Sequence, residues 1–259
     1  MGKLVIILFL SLLRINDDPV LSIIRSDAIK MGIPKSYLDE TFSYSKIEIH
    51  DSILDRFAKP YEKKTWGEYR KLFVTKNRIN EGAKFFRSHG DILTAISKEE
   101  KVDPFLILSI IGVESNFGRH KGKFTVFNAL YTQISKMPRR SKWAQKELVA
   151  YLSYCYTDNI PPHSIVGSYA GAFGYGQFIP TSFKSYAKDG NKDGIRQPFV
   201  WADVFASIAN YLVKNGYPVN DKSDSKKVYK SVYAYNHADN YVKAVLELRE
   251  ELNKKIIID

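Results

Sequence analysis

The sequence contains almost no cysteine: Cys155 is the single one among 259 residues. One thiol cannot form an internal disulfide, and the chain has no Cys/His spacing typical of a zinc site. Because Cys155 lies in a run rich in aromatic residues, we predict that it is a small core residue rather than a nucleophile. The fold must then rest on an apolar core, which a chain that is 44% hydrophobic can supply.

Long apolar runs are also missing. The stretch Leu4–Leu13 has ten residues, whereas a helix that spans a bilayer needs about 20. Because a short basic start precedes it, we expect residues 1–16 to be a signal peptide with an undefined cleavage site. A buried N-terminal strand or helix is the alternative. The signal peptide predicts an exported protein of the periplasm or cell envelope. No lipid-acceptor cysteine follows the apolar run, so we expect no stable membrane anchor.

The sequence lacks any concentrated block of one charge, although its net charge is +11. A strongly basic chain favours polyanionic partners such as nucleic acid, anionic lipid or an acidic cell-wall polymer. The lysines and arginines are dispersed, and no nucleic-acid recognition motif is present. We therefore expect no nucleic-acid partner.

Repeats and low-complexity segments are absent, and helical periodicity dominates. We predict about ten helices and at most one or two small strands, one of them at 46–50, where apolar and polar residues alternate. The fold class is therefore mainly α. We expect residues 17–259 to form a single domain.

The central feature of the chain is an apolar run from Ile107 to Gly118 that contains one carboxylate, Glu114. Pro104 suits the first position of a helix and Gly118 suits a position just past its end. Apolar residues surround most of this helix, so we predict that it is buried on several sides. Burial raises the pKa of a glutamate, as a general acid at neutral pH requires. The alternative is a surface glutamate on a frayed last turn.

Two other stretches carry polar groups among small or aromatic residues. The glycine-rich stretch 167–177 lacks the Gly-Lys-Ser/Thr ending of a phosphate-binding loop, so Tyr175 and Gln177 suggest a cleft wall with directed hydrogen bonds. A tight structural hairpin is the alternative. The stretch 233–241 places a polar turn between tyrosines, which suits either a sugar site or an ordinary turn between helices.

A third stretch resembles the first half of a calcium-binding loop. Oxygen-bearing side chains stand at positions 1, 3 and 5 (Asp189, Asn191 and Asp193), with glycine at position 6 and the carbonyl of Ile195 at position 7. Position 12 is a valine, and the first carboxylate downstream is Asp203, at position 15. Calcium binding and an ordinary polar turn both remain open on spacing alone.

Several motifs in a fixed order resemble those of the lytic murein transglycosylase B family. They run from about residue 53 to about residue 246 and are Gly112–Arg119, Pro138–Arg140, Gly167–Pro180, Ala209–Tyr211 and Ala234–Asn236. The resemblance implies a lysozyme-like catalytic core of the α+β lysozyme-like superfamily, with additional helical subdomains. It also implies cleavage of the MurNAc–GlcNAc β-1,4 bond of peptidoglycan without water, leaving a 1,6-anhydro-MurNAc end.

The same matching implies roles for individual residues. Glu114 corresponds to the single catalytic glutamate, acting first as acid and then as base. The positions that would line the glycan cleft or its edges are Tyr69, Arg139, Arg140, Ser168, Gln177, Tyr211, Tyr235, Asn236 and Tyr241. The family's calcium loop is elongated, with its last carboxylate at position 15, which corresponds to Asp203. A structural calcium is therefore possible, while the chemistry needs no cofactor.

Two other functions are compatible with the same residues. A goose-type-like lysozyme would cleave the bond with water, and a non-catalytic wall-binding protein would only bind it. Glycosidases ordinarily use two carboxylates, yet Asp103 is the nearest acidic residue upstream of Glu114, eleven positions away. The lack of a second carboxylate close to Glu114 in the sequence favours the anhydro-forming reaction. We expect a monomer whose partner is the peptidoglycan glycan strand.

Overall fold

The structure, a computed structural model, describes residues 18–221 and 223–258, so the expected signal peptide lies outside the described residues. Twelve α-helices occur in these ranges. They are α1 (Pro19–Lys30), α2 (Lys35–Phe42), α3 (Ser52–Ala58), α4 (Trp66–Phe73), α5 (Lys76–Glu100), α6 (Pro104–Ser115), α7 (Val126–Lys136), α8 (Pro138–Thr157), α9 (Pro180–Tyr186), α10 (Trp201–Lys214), α11 (Ser225–Tyr235) and α12 (Asp239–Ile258).

The β structure of the described residues is one small sheet. Strand β1 (Phe124–Thr125) pairs antiparallel with β2 (Val166–Gly167). A short 3₁₀ helix also occurs at Tyr61–Lys63. The prediction of a mainly α fold with a small β element is confirmed.

The strand predicted at 46–50 is wrong. This segment is irregular, and its backbone pairs with side chains of α7 instead of a neighbouring strand. The amide of His50 donates to the Thr132 hydroxyl at 3.0 Å, and Asn128 Nδ2 donates to the carbonyl of Lys46 at 2.9 Å. These side chains satisfy backbone groups that a sheet would otherwise pair.

Two helix boundaries also differ from the predicted ones. Helical spacing predicts one helix over 17–42, but the structure has two helices there, because Gly32 adopts a φ of +85° and Pro34 precedes α2. The sequence predicts a break at 137–140 and a helix from Trp143, but α8 already starts at Pro138, since proline at a first helical position loses no hydrogen bond. Cys155, on α8, is fully buried, and burial raises the pKa of its thiol to about 12. The prediction of an inert core cysteine is therefore confirmed.

The described residues form two compact units. The first comprises residues 18–58, 122–172 and 179–184. Within it, α7 packs against α8, α1 packs against both, and the small sheet adjoins α7. A buried carboxylate, Glu147 of α8, accepts hydrogen bonds from the amide and hydroxyl of Thr181 at 2.8 and 2.7 Å, which fixes the start of α9.

The second unit comprises residues 59–121, 173–178, 185–221 and 223–258. Its centre is α6, which contacts α5, α10 and α12. Nine of the twelve residues of α6 are buried, as its all-round apolar sequence predicts. The expectation of a single domain over 17–259 stays a prediction. No helix in the described ranges is both long and apolar enough to cross a membrane.

Candidate active site

Glu114 lies at the end of α6, one residue before the last helical position. Asp103 caps the other end, where its carboxylate accepts from the amide of Phe105 at 2.8 Å and pairs with Arg249 at 2.5 Å. Eleven residues of helix rise about 16 Å, so Asp103 cannot act as a second acid beside Glu114. Glu114 itself is partly exposed, while its neighbours Val113 and Ser115 are buried.

An unusual turn follows Glu114. The sequence predicts that Gly118 lies just past the helix end, but the helix already ends at Ser115. Asn116, Phe117 and Gly118 all adopt left-handed φ values, of 49°, 57° and 81°. This conformation is unfavourable for a bulky residue such as phenylalanine, and backbone strain of this kind concentrates at functional sites.

The ring of Phe117 holds this turn in place. A Cβ atom added to Gly82 of α5 or to Gly112 of α6 would lie 2.7 or 2.9 Å from the ring. Only glycine at these two positions gives the ring room to pack against both helices. Phe117 is 7% exposed. Packing against rigid helices therefore stabilises the strained end of the helix that carries Glu114.

Tyr241 of α12 contacts Glu114 directly. Its hydroxyl donates a hydrogen bond to Glu114 Oε1 at 2.6 Å, a short distance typical of a bond to a charged acceptor. The tyrosine is 1% exposed, so its hydroxyl has little freedom to move away from Glu114. Residues 114 and 241 are far apart in sequence, and the contact depends on the packing of α12 against α6.

The tyrosines near Glu114 remain protonated at neutral pH. Burial raises the pKa of Tyr241 well above its usual range, and the negative charge of Glu114 raises it further. The same two causes, in the same order, raise the pKa of Tyr235. Both hydroxyls therefore keep their protons and can donate hydrogen bonds. The charge of Glu114 raises the pKa of both.

Tyr235 and Tyr211 form an aromatic wall beside these groups. Their ring centroids are 4.8 Å apart, and the ring of Tyr235 lies nearly parallel to that of Tyr241, at 6.5 Å. The hydroxyl of Tyr235 donates to the carbonyl of Gly176 at 2.5 Å. Tyr211 donates to the carbonyl of Ala234 at 2.6 Å, and burial raises its pKa to about 12. Each hydroxyl thus fixes its own ring.

The structure brings three more predicted residues into the same unit. Gln177 has a φ of +50°, and its Nε2 donates to the carbonyl of Gly174 at 2.8 Å, so its side chain closes the glycine-rich turn. Asn236 ends α11 and is partly exposed. Tyr69 of α4 is 1% exposed, and its ring packs against that of Phe73 with centroids 4.6 Å apart.

The remaining predicted cleft residues belong to the other unit. Arg140 is flanked by aromatic rings, 4.5 Å from Phe57 and 4.3 Å from Trp143, and donates to Gln133 Oε1 at 3.0 Å. Arg139 is exposed. The Ser168 hydroxyl accepts from the amides of Ala170 and Ala172 at 3.3 and 3.1 Å, so it shapes a turn. Their roles towards a glycan stay predictions.

The loop predicted to bind calcium is held by its own side chains. Asp189 accepts from the amide of Gly194 at 2.7 Å, and Asp193 accepts from that of Ile195 at 2.8 Å. Asp203 is buried and accepts from the amides of Gly190 and Gln197 at 2.8 and 2.7 Å, which ties the loop to α10. Within residues 18–221 and 223–258, no three His, Cys, Asp or Glu side chains converge closely enough to hold a metal.

Two aromatic residues near the site were not predicted. Phe178 packs against Tyr211 and Tyr235, with centroids 5.8 and 5.4 Å away, and Tyr186 meets Tyr211 edge-on at 4.5 Å. Phe178 lies within the Gly167–Pro180 motif and Tyr186 ends α9, but neither was named as a candidate site residue. Their aromatic character beside the glycine-rich motif was the available signal.

Comparisons with known proteins agree with this geometry. The sequence model of a family described as transglycosylase SLT domain matches residues 16–224. The membrane-bound lytic murein transglycosylase B of Escherichia coli (strain K12) is 36% identical over 157 residues, which cover 61% of this chain and 44% of the relative. The chain thus aligns with less than half of that relative's length.

Solved structures are similar over nearly the whole chain. The Escherichia coli lytic transglycosylase SLT35 in complex with calcium has a TM-score of 0.84 at 25% identity, covering 93% of this chain and 95% of that one. The soluble lytic transglycosylase SltB1 of Pseudomonas aeruginosa has a TM-score of 0.82 at 27% identity, covering 92% and 99%. The predicted lysozyme-like fold is confirmed.

Proposed function

The chain belongs to the transglycosylase SLT domain family, and from this premise we propose that it is a peptidoglycan lytic transglycosylase. The substrate is the MurNAc–GlcNAc β-1,4 bond, and the product is a 1,6-anhydro-MurNAc end. The observation that carries the proposal is the 2.6 Å hydrogen bond from the buried Tyr241 to Glu114, at the strained end of a buried helix. The relatives named above as lytic transglycosylases support the same reaction class.

Glu114 acts twice in the proposed mechanism. In its protonated form it gives a proton to the glycosidic oxygen while the bond from that oxygen to the MurNAc C1 breaks. The substrate's own N-acetyl carbonyl oxygen stabilises the cationic C1. Glu114, now a carboxylate, takes the proton of the MurNAc 6-hydroxyl as O6 bonds to C1. No water is consumed, and the glutamate returns to its starting state.

The tyrosine hydroxyls support the charge that Glu114 develops. The hydrogen bond from the Tyr241 hydroxyl becomes stronger as the Glu114 carboxylate forms, so it favours proton transfer from Glu114 to the substrate. Tyr211 and Tyr235 offer ring faces for pyranose rings, and Asn236 or Gln177 would hold the N-acetyl group. The resemblance to the family further implies glycan contacts for Tyr69, Ser168, Arg139 and Arg140, the arginines towards lactyl or peptide carboxylates.

We also propose that the loop 189–203 binds a structural calcium ion, as the SLT35 structure does carry calcium. The ligands would be Asp189, Asn191, Asp193, the carbonyl of Ile195 and Asp203. This all-oxygen set suits a hard divalent cation, and Gly194 at φ +91° permits the sharp turn that such loops need. When bound, calcium supplies no chemistry to the reaction and stabilises the loop against α10.

Export to the periplasm or cell envelope is part of the same proposal. It is supported by the expected signal peptide at 1–16 and by the location of peptidoglycan outside the cytoplasmic membrane. Fractionation of cells that express the full chain should find the protein outside the cytoplasm, and its recovery in the cytoplasmic fraction alone would refute this part.

The decisive experiment is digestion of purified sacculi with the wild-type chain and with Glu114→Gln. The wild type should release muropeptides one water molecule lighter than hydrolysis products, measured by mass spectrometry. Glu114→Gln should abolish release but retain sacculus binding. Glu250→Gln, an exposed glutamate of α12, is the control and should remain active.

Three results would contradict the proposal. Products that carry a reducing end identify a hydrolase. Binding without any release by the wild type identifies a wall-binding protein. Near-full release by Glu114→Gln removes Glu114 from the mechanism.

A further inference from the structure

Two aromatic rings lie against the turn 116–118 that follows Glu114. A Cβ atom added to Gly118 would lie 2.9 Å from the ring of Trp201 and 3.1 Å from the ring of Tyr175, so both rings approach the bare backbone of this glycine. The two rings are stacked, with centroids 4.1 Å apart and planes 18° from parallel. The stack therefore holds the turn in addition to Phe117.

Further aromatic side chains of the second unit fix the ring of Trp201. Phe85 of α5 meets it edge-on at 4.6 Å, and Phe205 of α10 lies 5.7 Å away. The ring of Phe85 also lies 5.7 Å from that of Phe117. Because close-packed side chains transmit strain, a displaced Trp201 would displace the turn as well.

The backbone of the turn closes onto the residue that follows Glu114. The amide of Gly118 donates to the Ser115 hydroxyl at 3.0 Å, and the amide of His120 donates to the Ser115 carbonyl at 2.8 Å. The Ser115 hydroxyl donates in turn to the carbonyl of Ile111 at 3.2 Å. A shift of Gly118 would therefore move Ser115, and with it the backbone that carries the Glu114 carboxyl.

Trp201 also lies where the loop 189–203 joins α10. It is the first residue of that helix, and Val200 before it provides no side-chain cap, so the start of the helix depends on the loop. The loop packs closely on this start, since a Cβ atom added to Gly190 would lie 2.2 Å from the carbonyl oxygen of Ala202. The conformation of the loop therefore determines where the ring of Trp201 lies.

We propose that Trp201 is a positioning residue for Glu114, through which the loop 189–203 holds the turn 116–118 in its productive geometry. The ring acts on Glu114 through Gly118 and Ser115, and it does not contact the substrate. Its effect on the reaction rests on the proposed function. Misplacement of a catalytic group by about 1 Å can lower a rate by about 100-fold, so a small shift of the turn is sufficient.

The first test compares kcat with KM for muropeptide release. Trp201→Leu keeps the position apolar but removes the flat ring, and it should lower kcat by about tenfold or more with KM within about twofold, because the tyrosines proposed to contact the glycan are unchanged. Trp201→Phe restores a ring beside Gly118 and should recover most of the loss.

The matched control is Phe86→Leu. It removes a partly buried ring of α5 that stacks on Phe105, with centroids 5.6 Å apart. This variant should keep kcat within about twofold of the wild type, since the lost contact does not reach the turn. Thermal melts establish that every variant is folded at the assay temperature.

The second test does not depend on activity. Gly190→Ala should push the loop away from the carbonyl of Ala202, and NMR spectra of the ¹⁵N-labelled full chain should then show shifted amides at 114–118. The same substitution made in Trp201→Leu should leave these amides where Trp201→Leu alone places them, because the ring that links the loop to the turn is gone.

Several results would overturn the proposal. They are a kcat of Trp201→Leu equal to that of the wild type, a loss confined to KM, an equal loss of kcat in Phe86→Leu, and shifts at 114–118 that Gly190→Ala still causes without the Trp201 ring. If the wild type releases no muropeptides, the proposed function fails, and the NMR comparison still decides whether Trp201 links the loop to the turn.

Discussion

Replacing Tyr241 with phenylalanine removes one oxygen atom, the hydroxyl that donates to Glu114 Oε1 at 2.6 Å. The ring keeps its place, because the tyrosine is 1% exposed and phenylalanine has the same shape. A hydrogen bond to a charged group contributes about 1.5–3 kcal/mol. This bond is strongest once Glu114 has given up its proton, so its loss should affect the chemical step more than substrate binding.

We therefore expect Tyr241→Phe to lower kcat by about 10- to 150-fold, with little change in KM. The assay is the rate of muropeptide release from sacculi over a range of sacculus concentrations, together with a thermal melt to show that the variant is folded.

A matched control is available in the same unit. The hydroxyl of Tyr229 donates to Asp239 at 2.5 Å, which reproduces the tyrosine–carboxylate pair on the exposed surface. Tyr229→Phe should therefore leave kcat within about twofold of the wild type, since exposed polar contacts contribute little. The reasoning is refuted if Tyr241→Phe loses less than threefold in kcat, or if Tyr229→Phe loses as much.

Three further predictions concern stability. Chelation should lower the Tm by several degrees and calcium should restore it, because a ligand at about 100 times its Kd stabilises by about 2.7 kcal/mol; an unchanged Tm would remove the metal. Burial raises the pKa of Tyr235 and Tyr241 in the folded state. The unfolded chain therefore loses these protons first, and the free energy of unfolding should fall as the pH rises above about 10. A flat Tm between about pH 9 and 11 would contradict this. Gly122→Ala should destabilise by at least about 2 kcal/mol, because its Cβ would lie 1.7 Å from the carbonyl oxygen of Gly167, whereas Gly67→Ala, with open space around it, should be neutral or slightly stabilising in urea unfolding.

Features that depend on neighbouring residues were predictable. The start and burial of α6 follow from its proline and its apolar run, and the burial of Cys155 follows from its aromatic surroundings. The identity of Glu114 as the candidate acid came from the same run, together with the resemblance of several ordered motifs to a known family.

Features that depend on residues distant in the sequence could not be predicted. The irregular segment 46–50 pairs with side chains about 80 positions away, so its alternating pattern gave no strand. The left-handed conformation of Phe117 depends on space left by glycines on two helices.

The sequence by itself determined the helical class, the apolar central helix and the chemical types available for catalysis, because periodicity and residue type act locally. Only the tertiary structure decided which donor meets the carboxylate. Tyr241 follows Glu114 by 127 positions, and the packing of α12 on α6 brings its hydroxyl to 2.6 Å. No local pattern encodes that distance, since it is set by the shapes of all the side chains between the two helices.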